Sequence, residues 1–200
     1  MRMTDTPRSA THDDAAPIAR ALARAFHDDP MMAWFFPDKA TREAGLRSYF
    51  RTLFTRQYGP HGVCERTELA AAFWVPPQAQ DKAVPDEDTL RELVDILGER
   101  AEPFRRSVEA AAANVPPEPH WYLAVLGADP AAQGQGHGAA LLRSGLAKAD
   151  EAGLPVYLES SKEANLAVYG HFGFEVLQQV HLSEGGPTLW VMRREAQSSL

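Results

Sequence analysis

Gln133-Gly134-Gln135-Gly136-His137-Gly138-Ala139 stands between an apolar, strand-like stretch over residues 121–127 and a helical pattern over 136–152. Glycines at this density let the backbone come close to an anion. The free N–H groups at a helix start, reinforced by the helix dipole, cradle phosphate oxygens without any basic side chain. The run therefore reads as a pyrophosphate site made of backbone. The helix that follows places Gly138, Leu141, Leu142, Gly145, Leu146 and Ala149 along one face, which predicts packing on a sheet.

Working outward, the signals after this helix predict a strand at 155–160, a helix at 163–172 and strands near 174–182 and 187–193. Gly173 suits the left-handed position that ends a helix and releases Phe174 into a strand. Upstream, Thr11-His12-Asp13-Asp14 precedes Ile18, Leu22, Ala25 and Phe26 at helical spacing, with a carboxylate placed to cap. Asp28-Asp29-Pro30 breaks that helix, Met31 to Phe36 form a short apolar patch, and residues 39–57 are helical until Gly59-Pro60. Strands at 62–66 and 69–75 pair as a hairpin and stop at Pro76-Pro77. Residues 78–86 read as a loop and 87–114 as one or two helices, before Pro116-Pro117 and Pro119 mark a rigid entry to the glycine half.

Two hundred residues with 44% hydrophobic content suit one domain, residues 1–200, with a sizeable core. A formal charge of −7 argues against a nucleic-acid partner, because such interfaces need basic patches. The start has no apolar signal core and no segment reaches about 18 uninterrupted apolar residues, so the expectation is a cytoplasmic protein with no membrane partner. Cys64, the single cysteine, has no adjacent base and reads as a structural thiol. The seven histidines show no paired metal-ligand spacing, and no metal is expected.

Gln133, Gly136 and Gly138 spell Gln-x-x-Gly-x-Gly, which resembles the acetyl-CoA loop of the Gcn5-related N-acetyltransferases, the GNAT superfamily. Three later pieces agree with it: Leu158-Glu159-Ser160-Ser161 ending the next strand, Asn165 opening the next helix, and Tyr169-Gly170-His171-Phe172-Gly173-Phe174 closing it. The likeness covers roughly residues 120–193. A narrower one, through Glu118-Pro119-His120-Trp121-Tyr122 and the late Trp190-Val191-Met192, is to puromycin N-acetyltransferase-like actinobacterial members. Gln133 departs from the family, in which many members carry Arg, and leaves pyrophosphate binding more dependent on N–H groups. The resemblance implies an α/β (α+β) fold in which a mixed, mostly antiparallel sheet, flanked by helices, splays open between strands 121–127 and 155–160. It further implies an acceptor-shaping half, about 1–118, and an acetyl-CoA-binding half, about 119–195.

By the same resemblance, N–H groups from Gly134 through Gln135, Gly136, His137 and Gly138 to Ala139 hold the pyrophosphate, with Gln133 beside them. Pantetheine pairs with the edge at Leu126, Gly127 and Ala128, and a donor near Leu126 polarises the thioester carbonyl. Tyr169 is the implied general acid, Asn165 or Tyr169 anchors pantetheine, and Glu159 is the candidate base. Asp28, Asp29 and His120 are alternatives for attracting or deprotonating the amine, as is ordered water. The acceptor is then a small-molecule amine. Read without the family, Tyr169 is a helix residue packing near Phe172 and Phe174, and Glu159 a solvated strand-end carboxylate. Trp34, Phe35, Phe36 and Trp74 line an aromatic pocket or belong to the core. Two further readings stand beside transfer. One is a non-catalytic acyl-CoA sensor. The other is a dinucleotide fold, which Gly134-x-Gly136-x-x-Ala139 imitates but which needs its glycines directly after the strand.

Overall fold

The computed structural model describes residues 6–113, 115–182 and 185–197. The centre of the fold follows from Leu69-Ala70-Ala71-Ala72-Phe73-Trp74-Val75, whose lack of polar alternation suits a strand covered on both faces. Strand β3, Ala70–Val75, is buried along its whole length. Ala71, Phe73 and Val75 enter one core, and Ala70, Ala72 and Trp74 the other.

In chain order, β1 (Arg8–Ser9) precedes α1 (Ala15–Ala25), α2 (Pro30–Phe35) and α3 (Lys39–Thr52). A π-helical segment at Leu53–Tyr58 and the short α4 (Gly59–His61) lead into β2 (Val63–Arg66) and then β3. Next come α5 (Glu87–Leu97), α6 (Ala101–Ala113) and β4 (Trp121–Ala128). The chain closes with α7 (His137–Glu151), β5 (Val156–Ser160), α8 (Leu166–His171), β6 (Glu175–His181) and β7 (Thr188–Arg194). The seven strands lie in the order β1-β2-β3-β4-β5-β7-β6, and only β4 and β5 run parallel. Such a sheet lacks the repeated parallel units of a dinucleotide fold. Side chains from α1, α3, α5 and α6 make one core with the sheet, and α7 makes the other.

The parallel pair is short. Trp121, Tyr122 and Leu123 pair with Val156, Tyr157 and Leu158, and the two strands then part. A bulge helps to set β4 on its course. Phe73 faces Val125 while Trp74 faces Leu123, so Ala124 is the extra residue. Its insertion swaps the faces. Trp121 and Leu123 join the α7 core, whereas Tyr122, Ala124 and Val125 all join the other.

Several local expectations are corrected. The apolar patch after Pro30 is a helix, because the Asp29 Oδ1 atom accepts from the N–H groups of Met31 at 2.9 Å and Met32 at 3.1 Å, with Pro30 in the first helical position. The 78–86 loop begins with 3₁₀ turns over Pro77–Lys82. The helix expected up to residue 57 widens into π geometry, with the Gly59 N–H reaching the Phe54 carbonyl. Asp14 does not cap α1 with its side chain. Its carboxylate instead accepts from the Thr11 N–H at 2.8 Å, from Arg8 at 2.7 and 2.8 Å and from Arg66 at 2.9 Å. The last position of the helix expected over 87–114, Asn114, lies outside the described residues. Cys64 is buried, and burial pushes its thiol up to about 12, which keeps it protonated.

Asp14 ties the first turn to β2, and its partners, Arg8 first, hold its carboxyl far below the usual range even though burial opposes them. A depressed folded-state pKa contributes stability above the unfolded value and loses it as pH falls. Asp14→Asn should therefore lower unfolding free energy by about 3 kcal/mol at neutral pH, because Arg66 keeps a buried charge without its partner. The gap between variant and parent should narrow steadily below about pH 4. Urea titrations at several pH values check this, and a gap independent of pH would contradict it.

Candidate functional site

Where β4 and β5 part, three things meet: an unpaired strand edge, a helix start and a half-buried carboxylate. Leu126, Gly127 and Ala128 lie on β4 beyond its last rung with β5, and pair on their other side with Ala72, Ala71 and Ala70. Their remaining edge faces the opening. An extended chain can add there as a strand would.

The glycine run delivers α7 to the same region. Gly134 has φ of 74° and Gly136 of 87°, left-handed values that a side chain would strain. Ala140 is the first residue of the turn to close a helical bond, onto Gly136 at 2.9 Å. The preceding N–H groups of His137, Gly138 and Ala139 are the open donors of a helix start. A Cβ on Gly138 would meet nothing within 4 Å. Gln133 is exposed, and the Gln135 amide turns back to the Ala131 carbonyl at 2.7 Å. His137 offers its backbone only, since its ring is buried with Nδ1 2.9 Å from Thr67 Oγ1. That contact ties the loop to the β2–β3 turn. Asp129 adds a second tie, accepting from the Ala131 N–H and pairing with Arg24 at 3.2 Å.

Glu159 stands near the C-terminal end of β5, opposite Val191 of β7. Its carboxylate accepts the Tyr122 hydroxyl at 3.2 Å. Burial raises its pKa above the ordinary carboxyl value, and the Tyr122 bond partly opposes the rise. Tyr169 lies on α8 after Asn165, both half-buried, with its ring edge-on to Phe174 at 5.8 Å. Burial, aided by the Asp29 carboxylate, pushes its phenol up to about 12, so it is protonated at neutral pH. Gly173 closes α8 at φ 87°, and the Phe174 N–H returns to the Tyr169 carbonyl at 3.1 Å.

A cavity of about 250 Å³ opens beside Glu159, between the helices before β4 and the sheet. Asp29, Phe35 and His120 line it; Trp34 does not. The Trp34 ring lies under Arg100, 5.0 Å from the guanidinium, and its carbonyl accepts from Arg100 Nε. Asp29 is mainly a tie: beyond capping α2 it accepts the Ser161 hydroxyl at 2.6 Å, joining α2 to the end of β5. His120 is buried, with Nδ1 close to the Glu118 carbonyl. Trp74 is wholly buried core.

Residues that sequence reasoning did not select also line the cavity, among them Tyr49, Gln57, Tyr58, Tyr122 and Ser161. For Tyr122 a signal existed: β4 alternates, and position 122 falls on the face opposite the α7 packing residues. For Gln57 and Tyr58 none did, because the π turn that aims them has no sequence period. Among the described residues no group of three or more His, Cys, Asp or Glu suits a metal ion, and no helix is long and apolar enough to cross a membrane.

Residues 100–174 match the Acetyltransferase (GNAT) family. An uncharacterised N-acetyltransferase of Schizosaccharomyces pombe is 36% identical over 80 residues, which are 39% of this chain and 32% of that protein. The chain therefore spans about a third of that curated relative's length. A crystal structure described as histone acetyltransferase HPA2 and related acetyltransferase, from Corynebacterium glutamicum, is 28% identical with a TM-score of 0.73, over 99% of this chain and all of that one. A GCN5-related N-acetyltransferase from Kribbella flavida, 18% identical with a TM-score of 0.56 over 98% of this chain and 99% of its own, shares the fold. Residues 100–174 are thus similar to the GNAT family, and the seven-stranded, mostly antiparallel sheet matches the fold of the acetyltransferase structures.

The Tyr122 hydroxyl donates to the ionised form of Glu159, so Tyr122→Phe should raise the Glu159 pKa further. A carboxyl-carbon NMR titration of Glu159 in both proteins measures it. A value that stays put or falls would mean that the two side chains are not bonded in solution.

Proposed function

We propose that the chain is an acyl-CoA-dependent N-acetyltransferase that moves the acetyl group of acetyl-CoA directly onto the primary amine of a small molecule. The observation that carries this reading is the parting of β4 and β5 after Leu123 and Leu158, with a helix start offering open N–H groups and a half-buried, desolvated carboxylate at the same opening. In this reading the N–H groups from Gly134 to Ala139 take the pyrophosphate, and Gln133 flanks them. The amides of Leu126, Gly127 and Ala128 pair with the pantetheine arm, and Asn165 anchors it. A backbone N–H near Leu126 stabilises the developing oxyanion, an effect worth about 3 kcal/mol when the donor is preorganised.

The proton account then closes. The amine reaches the site as an ammonium and gives one proton to Glu159. The free nitrogen attacks the thioester carbonyl carbon, forming the C–N bond. Collapse of the tetrahedral adduct breaks the C–S bond and expels the thiolate, which takes a proton from Tyr169. The proton left on the new amide nitrogen passes to solvent, and through solvent Glu159 gives up its proton and Tyr169 regains one, which restores both groups. Glu159 suits the base because desolvation lifts its affinity for a proton, and Tyr169 suits the acid because its phenol stays protonated. Asp29 and His120 shape the acceptor end. Phe35 adds apolar wall, and Trp34 acts through the packing of α2. The motif likeness to puromycin N-acetyltransferase-like members makes an aminonucleoside antibiotic one candidate acceptor and drug resistance one candidate role. A cytoplasmic location fits both.

The direct test is calorimetric binding of acetyl-CoA followed by thiol release with an amine panel; binding without release would favour the sensor. Tyr169→Phe should lower turnover roughly 100-fold while leaving acetyl-CoA affinity almost unchanged, and equal turnover would remove Tyr169 from the acid role. Gly138→Val should weaken acetyl-CoA binding by more than about tenfold at an unchanged melting temperature, because a Cβ there meets no protein atom within 4 Å and the added side chain stands beside the proposed cradle. Normal affinity would put the diphosphate elsewhere.

A further inference from the structure

The cavity beside Glu159 carries a one-sided charge pattern. Its wall is largely aromatic and aliphatic, with Phe26, Phe35, Tyr49, Phe50, Tyr58 and Phe104 prominent. Two carboxylates enter the lining, and among the described residues that form it there is no Lys and no Arg. His120 is the one lining residue able to carry positive charge. Its Nδ1 lies 2.7 Å from the Glu118 carbonyl and 2.8 Å from the Gln80 amide nitrogen.

Most of the remaining polar groups are engaged within the protein, although Gln57 Oε1 is a buried acceptor with no partner among the described residues. The Gln57 amide nitrogen donates to the carbonyls of Lys82 and Ala83, Ser107 donates to the Phe104 carbonyl, and Ser161 to Asp29. Asp29 uses both oxygens, one for the α2 N–H groups and one for Ser161. Glu159 differs. One of its oxygens accepts from Tyr122, and no described residue donates a hydrogen bond to the other. A desolvated carboxylate without a cation calls for a cationic partner, and an anion brought into the same wall would meet its repulsion with no basic side chain among the described lining residues to offset it. A second cation on the ligand would lie against apolar side chains.

We infer that the acceptor is a monoamine with a compact aromatic or branched aliphatic body and no carboxylate, phosphate or sulfate, bound with its ammonium toward Glu159. The inference rests on the N-acetyltransferase reading and narrows it. It separates this site from ones built for free amino acids, polyamines or protein lysines. The discriminating feature is an absence of basic side chains in the wall rather than any single contact.

Matched probes test it. Phenethylamine and phenylalanine share a body and differ by one carboxylate; pentylamine and 1,5-diaminopentane differ by one ammonium. Thiol release from acetyl-CoA and calorimetric binding to the CoA-saturated protein are read for each, with a lysine-containing peptide alongside. Phenethylamine should exceed phenylalanine, and pentylamine the diamine, by at least about tenfold in kcat/KM or affinity. Glu159→Gln should weaken phenethylamine binding by about tenfold or more, a readout that does not depend on turnover. Equal or better handling of phenylalanine, the diamine or the peptide would overturn the inference while leaving the acetyltransferase reading intact. So would acetyl-CoA binding with none of the monoamines bound. Failure to bind acetyl-CoA at all would instead overturn the reading beneath it.

Discussion

Three rungs of parallel pairing, from Trp121 to Leu123 against Val156 to Leu158, are the constraint on which the rest of the molecule turns. A sheet that paired β4 and β5 to their ends would be more completely hydrogen-bonded, but it would have no opening. By parting after Leu158, the two strands leave backbone groups of β4 without a neighbour on one side, and such groups need a partner from water or from a ligand. The bulge at Ala124 exchanges which residues of β4 face which core just past the point of parting, so Val125 is buried in one core while Leu126 and Ala128 pack half-buried against the other. The α7 start and the Glu159 carboxylate then lie at this opening, one beyond β4 and the other on β5.

Hydrophobic burial makes the layers, but it does not fix the opening's rim. Burial is nondirectional, and either core would tolerate small slides of one element on another. Directional polar ties take that role. Asp29 bonds to Ser161 across 132 residues of sequence, Arg66 to Asp14 across 52, and His137 to Thr67 across 70. Arg42, itself buried, gathers the carbonyls of His27, Phe36 and Pro37 and so holds both ends of α2. The Asp29 tie joins the cavity wall to the end of β5 and the His137 tie joins the glycine loop to the β2–β3 turn, while Asp14 and Arg42 fix the first turn and α2, and losing one would leave a polar group or charge unpaired.

The site also carries a stability cost. Glu159 is desolvated with a phenol as its hydrogen-bond donor, an arrangement that a protein selected only for stability would replace with an apolar residue. Glu65 shows the opposite solution a short distance away in the sheet, where Ser144 and Lys148 both donate to its carboxylate. Two glutamates of the sheet, one buried and one half-buried, thus have different uses. One is neutralised by its surroundings, and the other is left with capacity for a proton or a cation.

Much of this was legible before any fold was known, and the legible part is local. The left-handed Gly173, the glycine-dense start and amphipathic face of α7 and the unbroken apolar run of β3 each follow from short-range sterics or from a period of a few residues, so neighbouring sequence encodes them. Asp29-Pro30 was visible as a break. That it starts a helix was not, because six residues are too few to show a period. The opening between β4 and β5, the bond from Tyr122 to Glu159, the π turn that aims Tyr58 and the removal of Trp34 from the cavity were decided only by the tertiary structure. The physical reason is that burial and long-range pairing, which set the charge state of Glu159 and the shape of its cavity, depend on residues distant in the chain whose meeting no local pattern records.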